Sequence, residues 1–176
     1  MCSVFPAMCA KNVIDAINTM IEEQKIKNPN DIYLFLDEMD ITYKDSRYEP
    51  MCNQHRYDEA FDLPNLLTKD AKELLMFCSR LGVNVILYTT RVDTKRVDVT
   101  VRTFSHVLDV GFPVVKKVVC LRTEQNELLP ISRVMDECDI PPNDVTFGVL
   151  ACSFQLRIND FLNNAKYFTI KKAVCF

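Results

Sequence analysis

Three carboxylates follow directly after a short apolar run near the start of the chain. Residues 32–36 are apolar or aromatic, and Asp37, Glu38 and Asp40 come next. Clustered carboxylates can bind a divalent cation, attack phosphorus as nucleophiles or transfer protons. The same cluster is also compatible with a turn whose acids simply face water. The acidic residues alone leave both interpretations open.

Polar residues also follow two later apolar runs, and these are Thr89, Thr90, Arg91, Lys171 and Lys172. If the runs are parallel strands, their carboxyl ends meet at one edge of the sheet. Ligand sites of open α/β sheets form at this edge. We therefore expect these hydroxyl and cationic groups to lie close to the carboxylates.

The eight cysteines do not indicate a zinc site. None of them forms a Cys-x-x-Cys pair, and the two histidines lie far apart in the sequence. Zinc sites normally use closely spaced ligand pairs. Cys78, Cys120 and Cys152 lie inside apolar segments. We expect them to be small buried side chains in a reducing compartment.

Length, charge and hydropathy indicate one folded domain over residues 1–176, beginning with a helical segment within residues 1–30. Of the 176 residues 48% are hydrophobic, and the formal net charge is -3. Such a charge gives no basic patch for nucleic acid, and no apolar run approaches the length of a membrane span. The first residues lack the basic and apolar regions of a signal peptide. We expect a cytoplasmic protein without nucleic-acid or membrane partners.

The order of elements predicts an α/β fold. Apolar residues recur with helical spacing over residues 12–25, 69–81, 94–109, 131–138 and 154–164, and Thr68 and Gly82 suit the two ends of the second helix. Continuous apolar runs typical of buried strands alternate with these helices over residues 32–36, 83–90, 113–121, 145–152 and 166–176. This alternation predicts a mostly parallel sheet of about five strands, with helices on both faces and right-handed crossovers.

Residues 44–66 are polar and interrupt the periodic pattern. We predict a long irregular loop, because segments of this kind in compact domains are often lids or binding loops. A solvated excursion without function is the alternative. His55 lies in this loop beside Arg56 and Tyr57 and is a candidate ligand contact.

The motifs in this order resemble those of the haloacid dehalogenase-like (HAD-like) phosphohydrolase superfamily. The resemblance rests on "LFLDEMDIT", "LYTTR" and "LDVGFPV" and covers the chain from about Ile32 to its C-terminus. It implies a three-layer α/β/α sandwich with a Rossmann-like sheet. In the family an aspartate attacks phosphorus and a second aspartate is acid and base. A threonine or serine binds the phosphoryl group, a lysine neutralises it, and acids ending a later strand complete a Mg²⁺ site.

The resemblance places the first motif in one of two registers. With Asp37 as the nucleophile, the acid/base position is Met39, which cannot transfer a proton. With Thr42 as the anchor, the nucleophile position is Glu38 and the acid/base is Asp40. We prefer the second register, because Asp40 and Thr42 then both match the family pattern.

The remaining motifs match in part. The resemblance implies four phosphate-binding residues, which are Thr89, Thr90, Arg91 and Arg157. Where the family ends a strand with two acids, "AKYFTIKK" has Lys171 and Lys172. A cation at this place would repel Mg²⁺. We expect the two lysines to replace the metal site by pairing with Glu38 or Asp40.

Two functions remain open at this point. The first is a pseudophosphatase, a HAD-like scaffold without a cofactor that binds a protein or a phosphorylated ligand. The alternative is an active phosphomonoesterase that needs Mg²⁺ and forms an aspartyl- or glutamyl-phosphate intermediate. The substituted first and last motifs favour the pseudophosphatase. A final strand at the sheet edge would favour a homodimer or another protein contact there.

Overall fold

The computed structural model describes residues 8–41, 47–61, 68–89, 115–120, 125, 127, 129–138, 140, 146–152, 155–163, 168 and 170–175. Its helices there are α1 (Ala10–Glu23), α2 (Glu38–Ile41), α3 (Tyr48–Asn53), α4 (Tyr57–Phe61), α5 (Lys69–Leu81), α6 (Ile131–Glu137) and α7 (Gln155–Asn163). Its strands are β1 (Ile32–Asp37), β2 (Asn84–Thr89), β3 (Val115–Cys120), β4 (Phe147–Cys152) and β5 (Ile170–Cys175). The helix predicted over residues 94–109 lies outside this described part. None of the helices described combines the length and apolarity that crossing a bilayer requires.

The described strands form one sheet in the order β3-β2-β1-β4-β5, and every neighbouring pair is parallel. This confirms the predicted α/β class with a parallel sheet. The chain runs outward from β1 to β2 and β3, and then returns to the other side of β1 for β4 and β5. The strand order therefore reverses between β1 and β4. In sheets of this kind ligands bind at the carboxyl ends of the strands beside that reversal.

Both faces of the sheet are buried, which is why its central strands read as continuous apolar runs. Leu34, Leu36 and Val149 face one core cluster, which α1 and α5 complete. Phe35, Leu150 and their neighbours face a second cluster, which includes residues of α6 and α7. Alternate residues of a strand point to opposite faces, so each central strand contributes to both clusters.

Helix α5 begins and ends at the residues predicted from the sequence. The Thr68 hydroxyl oxygen accepts a hydrogen bond from the backbone N–H of Ala71 at 3.1 Å, so Thr68 is the N-cap. Gly82 follows the helix in the left-handed region, with φ of 83°. A Cβ at Gly82 would lie 2.9 Å from Oδ1 of Asn30, which adds a steric reason for glycine. These caps fix the path into β2.

The segment predicted as a long irregular loop is partly helical. Helices α3 and α4 lie within it, and α4 carries Asp58 and Glu59 in its first turn. Acids at this end complement the helix dipole, and Glu59 also pairs with Arg56 just before the helix. Both helices are too short to show a periodic apolar stripe, so the sequence pattern did not reveal them. His55 is exposed between them.

A close contact at Gly148 holds the α7 side of the fold together. Gly148 lies inside β4, and a Cβ there would come within 2.8 Å of the Phe168 ring and 3.0 Å of the Phe161 ring. The Phe161 and Phe168 rings also pack on Phe35, each with its centroid 5.7 Å from the Phe35 centroid. The missing side chain therefore lets an aromatic cluster sit directly on the centre of the sheet.

We predict that Gly148→Ala lowers the free energy of unfolding by about 1–3 kcal/mol, because the added methyl group overpacks this contact. Urea denaturation of both proteins measures the difference. The double variant Gly148→Ala/Phe168→Leu is the control, since the smaller side chain makes room and should relieve part of the loss. An unchanged stability of Gly148→Ala would show that the aromatic contact is not tight.

Candidate functional site

Four side chains form a row across the carboxyl rim of the sheet. Asp37, the last residue of β1, pairs in register with Tyr88 of β2. β1 and β4 pair in register as far as Leu36 and Ala151. The next residues of the two strands, Asp37 and Cys152, therefore lie side by side. Cys152 in turn pairs in register with Cys175 of β5. We call Tyr88, Asp37, Cys152 and Cys175 the rim row; it lies on the sheet face that α6 and α7 cover.

Arg157 reaches the rim row from the first turn of α7. Its Nη1 lies 3.6 Å from Oδ2 of Asp37, and the two side chains are only 4% and 12% exposed. Its guanidinium carbon lies 5.2 Å from the centroid of the Tyr88 ring, a cation–π distance. Side chains of a helix lean toward its N-terminus, which directs Arg157 back over the strand ends. The ion pair thus links α7 to the end of β1.

Helix stability does not explain the position of Arg157. The positive end of a helix dipole lies at the first turn, where a cation is unfavourable. The first turn of α7 contains no acid of its own that would compensate. The compensating charge comes from Asp37, on another element. Removing either partner breaks a buried ion pair, which is far more costly than losing an exposed pair.

The Tyr88 hydroxyl is a buried polar group beside this ion pair. It makes no hydrogen bond of normal geometry to any described residue. Burial raises the pKa of Tyr88 well above its ordinary value, and the nearby Asp37 and Cys152 raise it further, while Arg157 opposes the shift. Tyr88 therefore stays neutral at physiological pH. A buried hydroxyl without a partner costs about 1–3 kcal/mol of desolvation.

A cleft of about 210 Å³ opens beside Arg157, and its lining residues are Leu129, Pro130, Ile131, Leu156, Arg157 and Asp160. Asp160 accepts a hydrogen bond from the backbone N–H of Ile131 at 2.6 Å, which ties the start of α6 to α7. Leu156 is 69% exposed at the cleft. The cleft is therefore mainly apolar, with one guanidinium in its wall.

The predicted acidic cluster divides at the end of β1. Asp37 is buried at the strand end, whereas Glu38 begins α2 and Asp40 is partly exposed within it. The Asp37 carboxylate faces Arg157. The structure thus brings together two of the predicted residues, Asp37 and Arg157.

Thr89 ends β2 at the same rim, as predicted from the sequence. Its backbone pairs with Cys120 of β3, one residue beyond the level of Tyr88 and Asp37. The Thr89 side chain is not described, and Thr90 and Arg91 lie outside the described residues. Thr89 is therefore at the expected edge of the sheet.

Lys171 and Lys172 do not lie at the carboxyl rim, which corrects the expectation that they stand beside the carboxylates. β5 continues to Cys175, and the two lysines pair in register with Gly148 and Val149. At about 3.3 Å per residue, Lys172 lies roughly 10 Å short of the level of Cys175. β5 is a partly exposed edge strand, so it can carry lysines in its first half. The two lysines of the sequence therefore do not mark the end of β5.

The described side chains at the rim do not supply a donor set that suits a magnesium ion. The last residues of the described strands are Asp37, Thr89, Cys120, Cys152 and Cys175, of which one is an acid. Mg²⁺ prefers oxygen ligands. In the family that the sequence resembles, acids at the end of a later strand would supply them. Among the residues that the structure describes, no group of three or more His, Cys, Asp or Glu side chains is arranged to hold a metal ion.

Three members of the rim row, Tyr88, Cys152 and Cys175, were not predicted as site residues from the sequence. Tyr88 and Cys152 each lie inside a buried apolar run, where they resemble ordinary core residues. Their position beside Asp37 follows from the strand register, which is set by the whole sheet. The sequence signals that could have identified them were the hydroxyl of Tyr88, one residue before the end of β2, and the thiol of Cys152 at the end of β4.

Comparison of the chain with protein-family models, with curated proteins and with solved structures found no significant match. The HAD-like resemblance therefore stays a prediction. Function has to be inferred from the chemistry of the rim row, Arg157 and the adjoining cleft.

We predict that Arg157→Ala lowers the free energy of unfolding by about 3–5 kcal/mol, because the buried Asp37 carboxylate loses the guanidinium that faces it. The matched control is Arg133→Ala, which breaks an exposed pair with Glu137 whose side chains are 59% and 42% accessible. This control should change stability by at most about 0.5 kcal/mol. Urea denaturation measures both differences.

The double variant Asp37→Asn/Arg157→Ala tests whether the effect comes from charge. It removes both charges. Its loss of unfolding free energy should be smaller than the sum of the losses in the two single variants. Strict additivity of the two single effects would contradict a coupled ion pair.

We also predict that Tyr88 contributes to alkaline unfolding. Its folded-state pKa lies above the ordinary value of 10.0, so ionisation of this group leaves stability unchanged below pH 10.0 and lowers it as the pH rises further. Tyr88→Phe should therefore unfold at higher pH than the wild type, with no loss of stability at neutral pH. Circular dichroism and tyrosinate absorbance during a pH titration measure this.

Tyr33→Phe is the control for the alkaline titration. Burial also raises the pKa of Tyr33, but that side chain is only partly buried. Its replacement should shift the transition less than Tyr88→Phe does. Identical alkaline midpoints for the wild type and Tyr88→Phe would contradict the assignment.

Proposed function

We propose that this chain is a HAD-like domain with degenerate motifs that acts as a pseudophosphatase, binding a protein or a phosphorylated ligand. The observation that carries the proposal is the buried Arg157–Asp37 pair at the strand-order reversal. In the family that the sequence resembles, this rim would carry a nucleophilic carboxylate and Mg²⁺. Here a guanidinium neutralises the carboxylate. The packing of α1 and α5 against one sheet face and of α6 and α7 against the other supports the three-layer arrangement.

A fixed cation at this position opposes metal-dependent catalysis. Two unit charges 4 Å apart interact by about 4 kcal/mol at the effective dielectric constant of a protein surface, and a divalent ion doubles the repulsion. Repulsion from Arg157 therefore weakens the binding of Mg²⁺ at Asp37. The carboxylate is already engaged by the cation that belongs to the chain.

The position of Asp37 also supports the first of the two motif registers, in place of the one preferred from the sequence. Asp37 is the strand-final carboxylate that faces the cation, whereas Glu38 belongs to α2. With Asp37 at the nucleophile position, Met39 occupies the acid/base position. A thioether cannot donate or accept the proton that the leaving oxygen requires.

The cleft beside α7 supports the binding role. It combines exposed apolar surface from Leu156 with two charged residues of its wall, the largely buried Arg157 and the partly buried Asp160. Apolar contacts and a cation together suit a protein segment that presents an apolar side chain next to an acidic or phosphorylated one. The lysines of the edge strand β5 oppose strand-to-strand pairing, so we favour the cleft over that edge as the contact. A homodimer through β5 remains a prediction.

The alternative function, an active Mg²⁺-dependent phosphomonoesterase, is favoured by one observation. A buried carboxylate ends β1 and a threonine ends the neighbouring β2, at the same edge of the sheet. These are the positions of the nucleophile and of the phosphate-binding hydroxyl in the family resemblance. The two functions differ in their need for Mg²⁺.

We predict that Mg²⁺ neither raises the melting temperature of the wild-type protein nor supports turnover of para-nitrophenyl phosphate above the level of Asp37→Ala. Thermal unfolding and a colorimetric assay with MgCl₂ in the millimolar range measure this. In Arg157→Asp, a second carboxylate replaces the cation, so Mg²⁺ should raise the melting temperature. Arg133→Asp is the control for an added surface acid and should not respond. Wild-type turnover that needs Mg²⁺ and disappears in Asp37→Ala would establish the phosphatase instead.

A further inference from the structure

We propose that Cys152 and Cys175 form a redox modification site, in which the two thiols join as a reversible disulfide between the ends of β4 and β5. Both are thiols in the structure, and they are paired in register on neighbouring parallel strands. Each is the last residue of its strand. The inference is independent of the proposed pseudophosphatase function, because it rests on the strand register alone.

The two thiols lie on the same face of the sheet. Cys152 belongs to the core cluster that α6 and α7 complete, and Ala173 of β5 packs against that same cluster. Side chains alternate along a strand, so Cys175, two residues after Ala173, points to this face as well. Cross-strand partners in register on one face are nearest neighbours. No helix or strand separates the two sulfur atoms in this arrangement.

The strand spacing allows a bond between these residues. Neighbouring strands lie about 4.7–4.9 Å apart, and disulfides join residues whose Cα atoms are about 4.4–6.8 Å apart. Side chains of opposite residues leave the sheet almost in parallel, so their Cβ atoms stay near the strand spacing, wider than the mean of about 3.8 Å in disulfides. The resulting strain makes the bond readily reducible, which is typical of regulatory disulfides.

The solvent exposure of the two cysteines indicates which thiol reacts first with an oxidant. Cys175 is exposed, whereas Cys152 is only 3% accessible. The Cys175 thiolate attacks one sulfur of a low-molecular-weight disulfide such as oxidised glutathione, and one glutathione thiolate leaves. The Cys152 thiolate then attacks the Cys175 sulfur and releases the second glutathione thiolate. Two protein thiols lose two electrons and two protons, and the oxidised glutathione takes up both.

The bond would change the rim that carries the ion pair. Cys152 is next to Asp37 in the rim row, and it lies close enough to Tyr88 to influence that hydroxyl electrostatically. A disulfide would fasten the edge strand β5 to β4 at the same level. The redox state of the two cysteines would thereby be coupled to the surroundings of Asp37 and Arg157.

The test is a redox titration of the full chain. The reduced protein is equilibrated with mixtures of reduced and oxidised glutathione, quenched with N-ethylmaleimide, digested without reductant and mapped by mass spectrometry. We expect a cross-linked peptide pair that contains Cys152 and Cys175, the loss of two alkylatable thiols per chain, and complete recovery of both after reduction.

Two variants and an internal control separate this site from nonspecific oxidation. Cys175→Ser should lose the cross-link and leave Cys152 unmodified, whereas Cys9→Ser should keep it. Cys78, whose pKa burial raises to about 12, should stay unmodified throughout. A glutathione adduct on Cys175 without the cross-link, or a bond from Cys175 to a different cysteine, would overturn the proposal.

Discussion

The rim of this protein is organised by one interaction, the contact between the Arg157 guanidinium and the Asp37 carboxylate. Both groups are largely removed from water, so breaking the pair is costly. The pair joins the central strand β1 to helix α7 at the point where the strand order reverses. An open α/β sheet concentrates its chemistry at this point. Here the protein itself supplies a cation to the carboxylate that ends β1.

The surrounding structure fixes both partners of this pair. Gly148 permits the Phe161 and Phe168 rings to approach β4 closely, which seats α7 on the sheet. Asp160 then ties α7 to the start of α6 through the Ile131 N–H. Arg157 therefore projects from a helix that is held at two places. An arginine positioned in this way is part of the framework and also forms a wall of the cleft.

Local features of the sequence were sufficient to predict much of the fold. Buried strands, the caps of α5 at Thr68 and Gly82, and the rim position of Asp37 all follow from short-range patterns. Features that depend on how the strands pair in the sheet could not be predicted from short-range sequence patterns. Lys171 and Lys172 looked like a strand end, but the register places them in the first half of β5. Tyr88 and Cys152 looked like core residues, and helices α2, α3 and α4 are too short for a periodic signal.

The most direct test of the account is a crystal structure of the wild-type protein grown in a high concentration of MgCl₂. We predict that the Arg157 guanidinium remains against Asp37 and that no metal ion binds that carboxylate. A magnesium ion bound to Asp37, with the Arg157 side chain displaced from it, would contradict the claim that arginine has taken the place of the metal.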